Sequence, residues 1–360
     1  MNLLIISAIG QPYKDEPLVI ATDSRTHGHG AYALMYPQDK TYYIDPLDTE
    51  RFFAEKYEVG AVMLNPTSDV PRLLQIMDAT SWIREHYPEL PVLCLDCDTT
   101  GGWLYWHPKI LKLTAQLFRL SSAVLCRDER LAGFAETLVE VKAYWLPEVA
   151  SFETAGNVVP KPLDNRNIIL SPRTLCGTFN SRRFALLNYA VMKALKSDPK
   201  NGRYRCHVIG NPIQCTADGY LLAGKDGDVF SEEEAVIAIN VDVDFIRFPP
   251  DFREAIIYEL GKARVFINLD QEFSMGHWQY DAATCGTPTV CTDSTVAGRL
   301  LWSPNVPHFD LRAAVEEANR LLHDDDYWME RSEAARKAVK EYTADKIRVR
   351  FEEILEDVRS

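Results

Sequence analysis

The sequence predicts an α/β protein of two domains, each a parallel sheet with helices on both faces, facing each other across a cleft. Three observations carry this reading. The chain has 360 residues, too many for one ordinary core and suited to two of about 150 each. Short apolar runs alternate with helical patterns, which is what a parallel sheet covered on both sides produces. Periodicity then lapses around residues 150–165, where Pro, Gly and Asn gather, and restarts beyond.

In the first half the strands are the apolar runs at 3–8, 41–44, 61–64, 91–95, 123–126 and 143–146, with helical patterns between them, as at 69–87 and 128–139. In the second half they are 167–171, 205–209, 235–240, 265–269 and 289–292, with a helix over 181–196. From about Tyr327 the chain is helical and charged. The expected domains are therefore 1–155 and 156–335, with 336–360 as a C-terminal helix.

Composition sets limits on function. Hydrophobic residues make up 46% and charged residues 25%, as in soluble globular proteins. No window reaches the roughly 18 consecutive apolar residues of a spanning helix, and Met1 leads into a strand pattern without a basic region. The eight cysteines sit mostly in or beside apolar strands and read as reduced thiols, so a cytoplasmic location is expected. The net charge is −13, with 13 basic and 21 acidic residues in 1–155 and 26 and 31 in the rest. That balance disfavours nucleic acid as the main partner. Cys94 and Cys97 form a lone Cys-x-x-Cys, and no His-Glu-x-x-His occurs, so no structural metal is assigned.

The most informative stretch is 265–292, VFINLDQEFSMGHWQYDAATCGTPTVCT. It reads as a strand, a short polar loop, a helix and a tight stop leading to another strand. Ser274, Met275 and Gly276 fall at the helix start, where unsatisfied N–H groups and the positive dipole end attract phosphate. Asp281 lies about a turn and a half further in, placed to accept hydrogen bonds from vicinal hydroxyls such as those of a ribose. Gly286 ends the helix and Pro288 prevents it from resuming. Together these outline a sugar-nucleotide site.

The segment resembles the donor-binding segment of GT-B fold glycosyltransferases, in particular the retaining enzymes of family 4. Alignment through Ala282 and Gly286-Thr287-Pro288 puts Asp281 on that family's second Glu and Gly276 on its loop glycine. The first Glu, which touches the transferred sugar, falls on Phe273, with Glu272 one place away. The stretches Ser121–Asp128, Leu146-Pro147-Glu148 and 205–210 also resemble that family, so the likeness extends over most of the chain. It implies two Rossmann-like domains, a C-terminal helix crossing back to the first, donor bound mainly by the second domain and acceptor by the first.

The resemblance also assigns residues outside the segment. Arg173 matches an Arg that contacts the donor diphosphate, and Arg182 or Arg183 takes the place of a Lys. A guanidinium suits this because its N–H fork matches two oxygens. His27, Gly28 and Gly30 form a glycine loop near the diphosphate and acceptor, unless they are a plain polar loop. Asp96 and Asp98 end the strand VLCLDCD and are the expected catalytic acids of the cleft. The same Asp-x-Asp also resembles the metal motif of GT-A transferases, which is the main rival reading.

Trp103, Tyr105 and Trp106 precede a helix with Lys109, Lys112, Gln116 and Arg119 on one face. A solvated face on a packing helix is favoured there over peripheral membrane contact. The expected activity is transfer of a sugar from a UDP-, GDP- or ADP-sugar to a hydroxyl of a glycan, lipid-linked or small-molecule acceptor, with retention and without an obligatory cofactor or metal. An epimerase or phosphorylase of the same fold would also suit these residues, as would a non-catalytic sugar-nucleotide-binding protein.

Overall fold

The structure is a computed structural model that describes residues 1–7, 35–36, 40–66, 70–96, 108–150, 160–172, 185–209, 215–216, 229–230, 243–246, 252–270 and 275–360. The chain divides into two compact units, one of Met1–Val149 with Tyr342–Ser360, the other of Ala150–Glu341.

The first unit contains strands β1 (Leu3–Ser7), β2 (Thr41–Ile44), β3 (Ala61–Asn65), β4 (Val92–Leu95), β5 (Ala123–Cys126) and β6 (Ala143–Trp145). They form one sheet in the order β2-β1-β3-β4-β5-β6, with every pair parallel. Side chains alternate across a strand, so each apolar run feeds two cores. Leu3, Ile5, Met63, Leu93, Leu95 and Leu125 face one way. Leu4, Ile6, Val62, Leu64, Val92 and Val124 face the other. The second face is covered by α1 (Thr49–Ala54), α2 (Val70–His86), α3 (Pro108–Leu120) and α4 (Glu129–Val139). In α3, Leu117 and Phe118 are buried while Lys109, Lys112, Gln116 and Arg119 are exposed.

The second unit contains β7 (Ile168–Pro172), β8 (Arg205–Ile209), the short antiparallel pair β9 (Cys215–Thr216) and β10 (Val229–Phe230), β11 (Asp244–Ile246), β12 (Ala263–Asn268) and β13 (Thr289–Cys291). Its main sheet runs β11-β8-β7-β12-β13, again all parallel. The helices are α5 (Ala185–Ser197), α6 (Phe252–Leu260), α7 (His277–Cys285), α8 (Val296–Leu301), α9 (Leu311–His323) and α10 (Asp325–Val339). Val265 and Ile267 of β12 pack in one core with Tyr189 and Met192 of α5 and Ala318 and Leu321 of α9. Phe266 points the other way, stacking on Trp278 of α7 with ring centroids 6.4 Å apart.

The run expected at 235–240 lies outside the described residues. The edge strand beside β8 is β11, which no apolar run announced, being three residues long and opened by the exposed Asp244.

The last helix, α11 (Ala344–Arg359), belongs to the first unit and covers the face that α1–α4 leave open. Ile347, Phe351, Ile354 and Leu355 form its apolar stripe, at the spacing of one helical face. Burying such side chains contributes about 1.5–3 kcal/mol each relative to leaving them exposed. Glu352 beside the stripe accepts a hydrogen bond from Tyr36 Oη at 3.0 Å.

Candidate functional site

Open parallel sheets bind ligands outside the carboxyl ends of their strands, where the strand order reverses. In the second unit that reversal falls between β7 and β12. Arg173, Arg182 and Arg183 follow β7, and Glu272, Phe273 and Ser274 follow β12; all six lie outside the described residues. Met275, Gly276 and Asp281 are described, so the frame around the loop can be built from its two ends.

At the outgoing end, the Leu269 amide donates to Asn188 Oδ1 of α5 at 2.9 Å. The Asp270 carbonyl accepts from the hydroxyls of both Thr292 and Ser294, just beyond β13. At the returning end, Met275 is buried and its carbonyl accepts from the Ala297 amide at 3.1 Å. Gly276 then takes a left-handed conformation, φ +71°. A Cβ there would lie 2.4 Å from Gln279 Oε1 and 3.1 Å from Thr295 Cβ, so glycine is required both for conformation and for space. The Gly276 carbonyl accepts from the Gln279 amide at 2.8 Å, which starts α7. Because glycine has no side chain, no cap oxygen is spent on the first amides of the helix.

Gln279 joins the two ends. It is fully buried, donates through Nε2 to the Asn268 carbonyl at 3.4 Å and accepts through Oε1 from Thr295 Oγ1 at 2.5 Å. Its own carbonyl accepts from Trp302 Nε1 at 3.2 Å. The strand exit, the helix entry and α8 are thus tied by one amide side chain.

Asp281 is the fifth residue of α7 and is 1% exposed. Burial first, and then the charge of Asp281, pushes the neighbouring Cys285 thiol up to about 12, so this cysteine stays protonated and is no nucleophile. The helix ends as its sequence requires. Gly286 has φ +61°, its amide bonds to Ala283 O at 3.1 Å, and the Thr287 amide reaches back to Ala282 O at 2.8 Å. Arg166 and Arg336 donate to the Cys285 carbonyl at 3.3 and 3.2 Å, offsetting the negative end of the helix.

The first unit reverses its strand order between β1 and β3. There Asn65 Nδ2 donates to Ser7 Oγ at 3.0 Å, and both residues are buried. His27, Gly28 and Gly30 follow β1 and lie outside the described residues, as does Asp98. Asp96, just past β4, is 1% exposed, and its amide bonds to Leu125 O at 2.8 Å. Arg127, equally buried at 1%, donates through Nε to the Asp96 carbonyl at 3.0 Å. Asp128 caps α4, accepting from the Arg130 amide at 3.0 Å and from the Arg130 guanidinium at 2.7 Å. Glu148 after β6 is also buried. Burial, then the charges of Asp96 and Asp128, drives the Cys126 thiol well above its usual range.

Sequence reasoning passed over Arg127, Glu148, Gln279 and Asn188. The first two belong to stretches that resemble the family, but nothing in the sequence marks a charged residue as buried. The hydroxyl-rich CTDST after β13 was the one available signal for the frame around the loop. Among the described residues no three His, Cys, Asp or Glu side chains are grouped to hold a metal ion, and no helix is long and apolar enough to cross a membrane.

No family profile and no curated protein matches this sequence. Solved structures do match over the whole chain. An α,α-trehalose-phosphate synthase (UDP-forming) from Burkholderia vietnamiensis is 9% identical with a TM-score of 0.70, covering 100% of this chain and 97% of the synthase. HepE from Anabaena, solved in complex with UDP and glucose, is 12% identical with a TM-score of 0.66 and 99% coverage of both chains. The N-terminal domain of trehalose-6-phosphate phosphatase from Candida albicans is 7% identical with a TM-score of 0.68, covering 99% of this chain and 97% of that one. At such identities the likeness concerns architecture. The chain has the α/β fold of the GT-B glycosyltransferases, with two Rossmann-like parallel sheets.

Proposed function

We propose that this protein is a retaining glycosyltransferase that moves a sugar from a nucleotide-sugar donor to an acceptor hydroxyl. One observation carries the reading. The segment that resembles a donor-binding motif spans the carboxyl end of β12, beside the strand-order reversal of the second sheet. Motif and topology are independent signals, and they select the same place.

In this reading the second unit, residues 150–341, takes the donor. The start of α7 and the arginines Arg173, Arg182 and Arg183 offset charge on the leaving diphosphate, which is electrostatic stabilisation. Asp281 accepts from the ribose, and Glu272, Ser274, Met275 and Gly276 line the sugar and diphosphate. The first unit takes the acceptor, with Asp96 and Asp98 toward the reacting hydroxyl and the loop of His27, Gly28 and Gly30 beside it. UDP is the first nucleotide to test, because one similar structure is a UDP-forming synthase and another was solved with UDP.

The test is calorimetric titration of the full chain with UDP, GDP and ADP, followed by a transfer assay with the sugar form of the tightest binder. Saturable binding of one nucleoside diphosphate with turnover supports the reading. No binding of any of the three overturns it. Binding without turnover on any acceptor favours a second reading, a non-catalytic sugar-nucleotide-binding protein. That reading is kept because Phe273 stands where the resembled family has a Glu.

A further inference from the structure

Arg127 is a charged side chain in a place where charge is costly. It is 1% exposed, immediately past β5, and taking a guanidinium out of water is unfavourable unless bonding offsets it. Its Nε–H goes to the main-chain oxygen of Asp96, at the exit of the neighbouring strand. Arg127 is itself held, because its carbonyl accepts from Trp145 Nε1 at 3.1 Å. Trp145 is held in turn by α11: its carbonyl accepts from Arg350 Nε at 2.8 Å, and the Arg350 guanidinium lies 4.2 Å from the indole centroid. The line Arg350–Trp145–Arg127–Asp96 runs from the last helix of the chain through the ends of β6 and β5 to the end of β4.

We infer that Arg127 is a positioning residue that fixes the exit of β4, and with it Asp96, for binding the acceptor. The inference rests on the reading of the first unit as the acceptor side. Packing alone does not explain the residue, since apolar side chains of similar volume often replace buried ions at no loss of stability. A planar guanidinium with a fixed N–H direction instead sets where one carbonyl points, and it does so at the end of the sheet where α/β proteins bind ligands.

The test uses Arg127→Met, which keeps most of the volume and loses the donor, Arg127→Lys, and Trp145→Phe, which removes the indole N–H but keeps an aromatic ring. Arg127→Met should raise the acceptor KM about tenfold, with donor KM and nucleotide affinity unchanged. Trp145→Phe should raise it in the same sense by less. Added to Arg127→Met it should change little more, because both act through one contact. Arg127→Lys should restore only part of the loss.

Amide exchange supplies a readout independent of activity. The Asp96 amide, bonded to Leu125 O, should exchange faster in Arg127→Met while the amides of α7 keep their rates. Unchanged exchange at Asp96 overturns the positioning role. Faster exchange with an unchanged acceptor KM, or a parallel shift of kcat, both KM values and Tm, overturns its part in acceptor binding. If the wild type transfers to no acceptor, the functional reading fails as well, and the exchange result alone decides whether Arg127 positions the strand exit.

Discussion

The two sheets are built on the same plan, all-parallel with one reversal of strand order, yet they finish their carboxyl ends with different chemistry. In the second unit the buried side chains framing the reversal are largely neutral: Asn188, Gln279, Thr292, Ser294 and Thr295. Most of their hydrogen bonds go to main chain, from Leu269 N to the carbonyls of Asn268 and Asp270. In the first unit the reversal is framed by the neutral pair Ser7 and Asn65, while the exits of β4, β5 and β6 carry buried charge: Asp96, Arg127, Asp128 and Glu148. Neutral side chains that fix backbone leave the backbone as the ligand-binding surface, which suits an anion at a helix start. Buried carboxylates suit the opposite task, accepting from or orienting a hydroxyl.

The comparison breaks most visibly at Gly276. If the backbone is the binding surface of the second unit, forcing that backbone out of its left-handed turn should cost more than any side-chain deletion. Gly276→Val puts a β-branched residue at φ +71° with a Cβ 2.4 Å from Gln279 Oε1. We expect a loss of about 3 kcal/mol or more in urea denaturation followed in the second unit, together with loss of nucleotide binding. A folded variant that binds UDP as well as wild type would show that the helix start is not the anion site.

Asp281 and Asp270, both buried, are the exceptions to neutrality around the reversal of the second unit, and Asp281 sharpens the contrast. A carboxylate kept 1% exposed within a helix needs a reason, and the proposed reason is the ribose. Asp281→Ala should weaken UDP binding by about 1.5–3 kcal/mol, the range for a hydrogen bond to a charged group. Calorimetry decides this, and unchanged affinity would remove Asp281 from the donor site. Asp281→Asn, which keeps an acceptor oxygen, should lose less.

Much of this was legible in the sequence, for identifiable reasons. Strands buried on both faces read as unbroken apolar runs, so the runs at 61–64, 91–95 and 123–126 fall on β3, β4 and β5, whose residues are all buried. The stop of α7 was legible because glycine takes the left-handed conformation at Gly286 without strain and Pro288 follows it. β11 was not, because an edge strand of three residues needs few apolar positions. Arg127 and Gln279 were invisible for a different reason. A buried polar side chain is defined by what it bonds, and its partners, such as Asp96 and Thr295, lie 31 and 16 positions away in the chain.

A smaller effect is expected at His207 of β8. Burial lowers its pKa from the ordinary 6.5, partly opposed by the charge of Asp244, whose carboxylate lies 3.5 Å from Nε2. The folded protein therefore holds the ring neutral at pH values where the unfolded chain protonates it. Stability drawn from this is complete above 6.5 and declines as pH falls from there through the lower folded value. Urea midpoints measured from about pH 7.5 to 5 should fall less in His207→Gln than in wild type. Equal slopes would mean that this residue contributes nothing to the acid sensitivity of the second unit.

The last expectation is of no effect at all. In the proposed mechanism the charge of the leaving diphosphate is met by the start of α7 and by Arg173, Arg182 and Arg183, all in the second unit. A site that already gathers that positive potential has less need of a divalent ion. The acids of the first unit then serve the acceptor, and Asp98→Asn should lower turnover more than donor affinity. Transfer should accordingly proceed at the same rate in excess EDTA as without it. Activity lost in EDTA and restored by manganese would assign Asp96 and Asp98 to a metal. It would also invert the comparison, making the first unit the one that handles phosphate.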